Sequence, residues 1–301
     1  MSTTPVIEVQ QLNLKYGDFH AVKDLSFEVR SGELYALLGT NGAGKTSTLE
    51  TVEGHRRPTS GTVRVFGQDP RDRRAVRPRM GIMLQESGFS PDLTVRESVQ
   101  VIGTLTRRED DPARVIDAVG LTRKAGTRVS QLSGGEKRRL DFATAVYGTP
   151  ELVFLDEPTT GLDIQSRDDL WESVDRLREA GSTVVLTTHY LEEAQQRADR
   201  IGLMHGGTFY REGTVAELTR TLPAVISFGL LAPLSGLPVS ATRTHEGRYR
   251  VETQELQKDL HLLLGWAFDN GVELVDLEAG PTRLDDVFRA IGHSTPGTTA
   301  A

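Results

Sequence analysis

A lysine next to a hydroxyl residue, preceded by spaced glycines, is chemistry for holding phosphate. Gly39, Thr40, Asn41, Gly42, Ala43, Gly44, Lys45, Thr46 and Ser47 form such a run. It fits the pattern G-x-x-x-x-G-K-[ST] without a gap. Glycines let the backbone aim its N–H groups at an anion with no Cβ in the way. Lys45 brings a full positive charge for the outer phosphates of a nucleotide, and the Thr46 hydroxyl is placed to ligate Mg²⁺. The motif needs a strand before it and a helix after it. Glu33–Leu38 reads as a short buried strand and Lys45–Glu53 as a helix, so the context is present.

Splitting a nucleotide triphosphate also needs a held metal ion and a water aimed at the terminal phosphorus. Leu152-Val153-Phe154-Leu155 is a short apolar run of the kind central parallel strands show, and it ends in Asp156-Glu157. Acidic groups at the carboxyl edge of such a sheet sit over the ligand crevice. Asp156 is the expected metal residue, acting through water, and Glu157 the group that polarises the attacking water.

A second glycine motif, Leu132-Ser133-Gly134-Gly135-Glu136, contains a capping box of Ser133 and Glu136. Taken alone it is a well-capped helix start. With a phosphate loop in the same chain, Ser133, Gly134 and Gly135 read as a second anion site.

The elements that must position these groups follow from patterning. Val6–Leu14 and Val22–Val29 alternate as antiparallel strands do, with turns at Asp18 and Ser31-Gly32. Thr183–Thr187 is another central-strand run. Between Gln85 and Thr149 the chain reads mainly as helix, with a capping box at Thr94–Glu97 and a helix over Pro112–Val119 ended by Gly120. After Arg220 the character changes. A strand over Ala224–Leu230, a hairpin around Glu246-Gly247, a helix over Leu256–Phe268, a strand over Val272–Leu277 and a short helix over Arg283–Ile291 make a small α+β appendage. Ser294–Ala301 is rich in Thr, Pro and Gly and is expected to be disordered.

The 301 residues allow one large domain and a small one, and 37% hydrophobic with 26% charged residues suits a globular protein. A formal net charge of -7 argues against a nucleic-acid surface. The absence of cysteine excludes disulfides and thiolate metal sites. No signal peptide is visible at Met1–Pro5. The uncharged stretch Thr221–Thr242 is broken by Pro223, Pro233 and Pro238 and does not read as a membrane span. Any membrane role is therefore expected through a partner.

With these motifs in this order, the chain resembles the ATP-binding subunits of ABC (ATP-binding cassette) transporters over roughly residues 5 to 220. The most specific element is Leu132-Ser133-Gly134-Gly135 shortly before Asp156-Glu157. The fold so implied is an α/β P-loop NTPase with an antiparallel β subdomain and a helical subdomain at about 86–149. The cassette would occupy 1–220, the accessory domain 221–292 and the tail 293–301.

The resemblance also implies site roles. Tyr16 matches the aromatic that stacks on adenine, Gln85 the glutamine that senses Mg²⁺ and the attacking water, and His189 the histidine that contacts the γ-phosphate. Asp163, in Thr160-Gly161-Leu162-Asp163, matches the loop that crosses a dimer interface. Two subunits would sandwich two ATP molecules head to tail, each signature closing on the nucleotide held by the other. The fifth signature position is usually Gln and here is Glu136, which puts negative charge near an approaching phosphate and predicts weaker ATP-driven closure.

His189–Ala194, the appendage and Leu284-Asp285-Asp286-Val287-Phe288 resemble the antibiotic and drug exporter branch, the daunorubicin-resistance-like ATPases. That implies a separate multi-helix permease as partner and a place on the cytoplasmic face of the cell membrane, with Gln85–Leu93 lining the groove for the permease. The other reading is a soluble ABC ATPase working on a protein or nucleic acid. A single cassette and the absence of a long heptad insertion count against it.

Overall fold

Alternating burial along two long segments makes them partners in an antiparallel ribbon, β1 (Pro5–Tyr16) and β2 (Phe19–Arg30). The turn at Gly17-Asp18 sets a register in which Tyr16 lies opposite Phe19. The computed structural model describes residues 5–85, 88–219, 223–230, 236–244, 247–282, 284 and 286–288. The chain divides into two compact units between Thr214 and Val215.

In the first unit, the buried strand β3 (Leu34–Gly39) leads through the glycine-rich loop into α1 (Lys45–Val52). Next, β4 (Ser60–Val65) pairs with the other edge of β1, giving the order β2-β1-β4. After α2 (Arg73–Val76), β5 (Met80–Met83) enters a different sheet. Three helices follow. These are α3 (Val95–Thr106), opened by the Thr94–Glu97 capping box, α4 (Pro112–Ala118), capped by Asp111, and α5 (Gly134–Val146), opened by the Ser133–Glu136 capping box.

Then come β6 (Leu152–Asp156), α6 (Ile164–Glu179), β7 (Thr183–Thr187), α7 (Leu191–Arg197), β8 (Arg200–His205) and β9 (Thr208–Gly213). Among the described residues the sheet order is β5-β6-β7-β3-β8-β9, parallel except for β9 at the edge. The inner strands β3, β6 and β7 are buried almost throughout, which is why they read as unbroken apolar runs.

One core joins both sheets of this unit. Val9, Leu12, Leu14, Val22 and Phe27 from the antiparallel ribbon pack with Leu37, Phe154 and Val185 from the parallel sheet. The Phe27 and Tyr35 rings stack at 5.6 Å. Burial of each such side chain contributes about 1.5–3 kcal/mol, so the phosphate loop and the strand carrying Asp156 hang from a rigid frame.

The second unit starts with α8 (Val215–Thr219) and builds a sheet from β10 (Ala224–Gly229), β11 (Thr242–Arg243), β12 (Tyr249–Thr253) and, after α9 (Leu256–Asp269), β13 (Val275–Gly280). The order among the described residues is β11-β12-β10-β13. Leu263 of α9 joins Ile226, Phe228 and Val251 in its core. Residues 245 and 246, at the expected hairpin tip, lie outside the described residues, as do most of the expected Arg283–Ile291 helix and the Ser294–Ala301 tail.

The final strand corrects the sequence reading, which started it at Val272. The Val272 N–H donates to the Ala267 carbonyl at 2.9 Å, and Gly271 sits at φ 62°. Val272 is therefore spent on terminating α9. Pairing with β10 runs from Val275 opposite Gly229 to Gly280 opposite Val225. No helix among the described residues is long and apolar enough to cross a membrane, and the uncharged stretch after Arg220 holds strand β10.

Candidate active site

The loop after β3 is shaped by contact as well as by chain direction. Gly44, at the start of α1, has φ 98°, and a Cβ there would meet the Ala21 carbonyl oxygen at 2.7 Å. Only glycine meets both conditions. No side chain caps α1, so its first N–H groups remain for an anion. Lys45 Nζ donates to the Gly39 carbonyl at 2.6 Å and to the Thr40 carbonyl at 3.3 Å, which draws the ammonium across the loop. Burial lowers its pKa, while Glu157 and Asp156 act in the opposite sense.

Facing the loop is the carboxyl edge of the parallel sheet. β7 lies between β3 and β6, and Asp156 pairs in register with Thr187. The Thr187 hydroxyl donates to Asp156 Oδ1. Burial raises the Asp156 pKa most, with that hydrogen bond opposing it. Glu157 follows in a left-handed backbone conformation, φ 49°, with its N–H bonded to the Thr187 carbonyl at 2.9 Å. Its carboxylate lies 3.4 Å from His189 Nδ1.

These groups surround one cleft of about 610 Å³, lined by Tyr16, Phe19 and Ala21, by Asn41 through Ser47, and by Gln85, Asp156, Glu157 and Thr187. The volume suits a nucleotide-sized ligand. The Tyr16 hydroxyl is hydrogen-bonded to Ser47 Oγ at 2.8 Å, and the Arg56 guanidinium covers the ring 3.9 Å from its centroid. A Tyr held at both its hydroxyl and its ring keeps one orientation at the mouth of the cleft. Phe19 is a second aromatic at this mouth, 62% exposed, that the motif reading passed over. Its signal was available, because a two-residue turn after Tyr16 places Phe19 directly opposite. Thr187 was read only as part of a strand, and its register beside Asp156 carries the missing information.

The oxygen-bearing residues that line the cleft include Thr46, Gln85, Asp156, Glu157 and Thr187. Hard oxygen donors in small number suit Mg²⁺, which takes its other positions from water and phosphate. Among the described residues no group of three or more His, Cys, Asp or Glu forms a protein-only metal cage.

Three of the expected site features lie elsewhere. Ser133 caps α5, its Oγ accepting from the Glu136 N–H at 3.2 Å while Glu136 Oε2 accepts from the Ser133 N–H at 2.8 Å. Space beyond Gly134 is open to at least 4 Å from a hypothetical Cβ, and Gly135 faces Leu162. Asp163 caps α6, accepting from the Ser166 N–H at 2.7 Å, and that backbone bond lowers its pKa. None of Ser133, Gly134, Gly135 and Asp163 lines the cleft, and His189 reaches it only through Glu157. Glu136 is paired with Lys124 at 3.2 Å. Its pKa is lowered, first by the Ser133 N–H and then, more weakly, by Lys124.

Known proteins are similar to this chain in sequence and fold. Residues 22–160 match the ABC transporter family, and residues 224–282 match the ABC transporter domain-containing protein-like C-terminal domain. The chain is 38% identical to the daunorubicin/doxorubicin resistance ATP-binding protein DrrA of Streptomyces peucetius, over 85% of this chain and 76% of that protein. It is 37% identical to the Nod factor export ATP-binding protein I of Ralstonia nicotianae, over 96% of this chain and 94% of the relative. Among solved structures, an ATP-binding subunit of an ABC transporter superposes with TM-score 0.67 at 24% identity, covering 72% of this chain and 92% of the other. A dimeric post-hydrolysis ATP-binding cassette bound to ADP and Pi gives TM-score 0.64 at 24% identity, covering 69% and 98%.

Proposed function

The chain belongs to the ABC transporter family as an ATP-binding, ATP-hydrolysing subunit, and we propose that it is the motor of an exporter for a drug-like or other amphipathic compound carried by a separate membrane permease. The observation that carries the catalytic part is the shared cleft. Residues 41–47 of the phosphate loop line it together with Tyr16, Gln85, Asp156 and Glu157. The direction of transport rests on the relatives, one named for daunorubicin/doxorubicin resistance and one for Nod factor export.

In this reading the N–H groups of the loop and of the start of α1 hold the phosphates, with Lys45 on the outer ones. Tyr16, backed by Arg56, stacks on adenine. Thr46, Gln85 and Asp156 would hold Mg²⁺, which would supply positive charge against the phosphates. Glu157 accepts a hydrogen bond from the attacking water as its oxygen bonds to the γ-phosphorus. The bond from that phosphorus to the bridging oxygen breaks, giving ADP and phosphate. His189, next to the Glu157 carboxylate, donates toward the γ-phosphate.

Ser133, Gly134, Gly135 and Asp163 serve the nucleotide of a second copy of the chain, which accounts for an open, capped helix start away from the cleft. Gln85–Leu93, of which residues 86 and 87 lie outside the described residues, receives the permease. The protein then sits on the cytoplasmic face of the membrane, bound there through the permease.

The test is a pull-down from detergent-solubilised host membranes with tagged Glu157→Gln protein, ATP and Mg²⁺. Co-purification of a multi-helix membrane protein is the expected result. A soluble protein or nucleic acid with no membrane partner would overturn the exporter reading and point to a non-transport ATPase.

A further inference from the structure

Arg138 is a buried arginine in the second turn of α5, 7% exposed, and no motif assigns it a task. Its Nη2 donates to the Asp156 carbonyl and, at 2.6 Å, to the Glu157 carbonyl. Its Nη1 donates to the Leu84 carbonyl at 2.7 Å and to the Gln85 carbonyl at 3.1 Å, and its Nε to the Pro158 carbonyl at 3.3 Å. One planar guanidinium thus gathers the backbones of two segments more than sixty residues apart in the chain, the one bearing Gln85 and the one bearing Asp156 and Glu157.

The cluster is unusual in what it holds. Glu157 has φ 49°, a left-handed conformation that residues other than glycine adopt uncommonly and at a cost. Two anchors enforce it here. The Glu157 N–H is tied to the Thr187 carbonyl at 2.9 Å and its carbonyl to Arg138 at 2.6 Å. With the peptide groups on both sides of Glu157 held, the direction of its Cα–Cβ bond is set, and with it the point from which the carboxylate reaches into the cleft. The same guanidinium fixes the carbonyl of Gln85, whose side chain lines the cleft. A lysine would offer a single ammonium with no fork, and a neutral side chain no charge for so many carbonyl dipoles.

We propose that Arg138 is a positioning residue for ATP hydrolysis: it holds Glu157 and Gln85 in their working orientation over the cleft and keeps both in register with the helix that begins at Ser133. The proposal rests on the reading of Glu157 as the group that polarises water. It goes beyond that reading by placing the control of Glu157 on the signature helix, outside the cleft. Arg138 touches no nucleotide in this account and acts only through backbone.

The test compares Arg138→Met and Arg138→Lys with the wild-type chain in steady-state ATP hydrolysis, ATP affinity and circular dichroism. In Arg138→Met, kcat falls about a hundredfold with ATP affinity unchanged, as expected for a small displacement of a catalytic group. In Arg138→Lys it falls about tenfold, because one ammonium replaces part of the hydrogen bonding. The double variant Glu157→Gln/Arg138→Met loses far less than the product of the two single losses, since the part of the Arg138 effect that acts through the Glu157 carboxylate is already gone.

Wild-type kcat in either folded variant would overturn the proposal. So would loss of ATP affinity in step with kcat, or a multiplicative loss in the double variant, because a merely structural role gives those results. If Arg138→Met does not fold, Arg138→Lys and its pairing with Glu157→Gln carry the same test. Failure of the underlying reading looks different: Glu157→Gln by itself would then keep wild-type turnover.

Discussion

Two glycine-rich helix starts in this chain share a chemistry and differ in their surroundings. At the start of α1 the loop closes on itself, with Lys45 across it and Asp156, Glu157, Gln85 and Tyr16 around one cleft. At the start of α5 a capping box ties the Glu136 and Ser133 N–H groups to the helix's own side chains, and Gly134 faces open space. Under the proposed function the uncapped start inside the cleft is a whole site, and the capped one on an open surface is half of one. The difference teaches that a helix N-terminus acquires its meaning from what the fold places opposite it.

Each of the following changes breaks or sharpens that contrast. The largest effect is expected for Glu157→Gln, which removes the charge that polarises water and leaves the binding groups in place. Phosphate release falls by about 10³-fold while ATP still binds, as equilibrium binding together with a phosphate-release assay will show. Next, Lys45→Ala removes a full charge from the phosphate loop. At about 1.5 kcal/mol for each of two charge-assisted hydrogen bonds, ATP affinity falls about a hundredfold, read by titration calorimetry. Near-normal affinity there would remove the cleft from the account.

Ser133→Arg acts on the other helix start. It costs about 1 kcal/mol of capping and leaves ATP affinity of a single chain unchanged. It weakens an ATP-dependent dimer at least about tenfold through bulk and lost hydrogen bonding, measured by light scattering. A dimer that survives would dissociate Ser133 from any nucleotide.

The smallest effect belongs to Glu136→Gln. Removing the carboxylate takes negative charge from the open site, so ATP-dependent association tightens by about two- to fivefold, a few tenths of a kcal/mol to 1 kcal/mol. Its pH dependence has a definite sign. The folded pKa values of Glu136 and Asp163 are depressed by backbone N–H groups. Their stabilisation is therefore complete above the ordinary carboxylate values of about 4 and lost as pH falls through the depressed ones. Thermal melts of the wild-type chain decline below that range, and Glu136→Gln with Asp163→Asn removes part of the decline.

Much of this was legible in the sequence because it is local. A capping box joins residues three apart, and both of them, Thr94–Glu97 and Ser133–Glu136, form as the spacing predicts. Strand β3, the loop and α1 are consecutive in the chain, and the loop's glycines sit where positive φ or close backbone contact demands them. The second unit reads less well at its last strand, where Val272 is apolar and strand-like in type yet is taken by the end of α9. Residue type favoured the strand; the helix-terminating hydrogen bond decided otherwise.

The sequence by itself determined the local chemistry: a phosphate loop, a strand ending in two carboxylates, two capped helix starts and the family to which they belong. The tertiary structure decided which of these groups meet. The insertion of β7 between β3 and β6 sets Thr187 beside Asp156, the hairpin register brings Phe19 opposite Tyr16, and Arg138 reaches five carbonyls from two distant segments. Hydrogen bonds between neighbours in sequence follow from residue type and spacing. Those between distant segments depend on sheet order and on the packing of one shared core, which no short stretch of the chain contains.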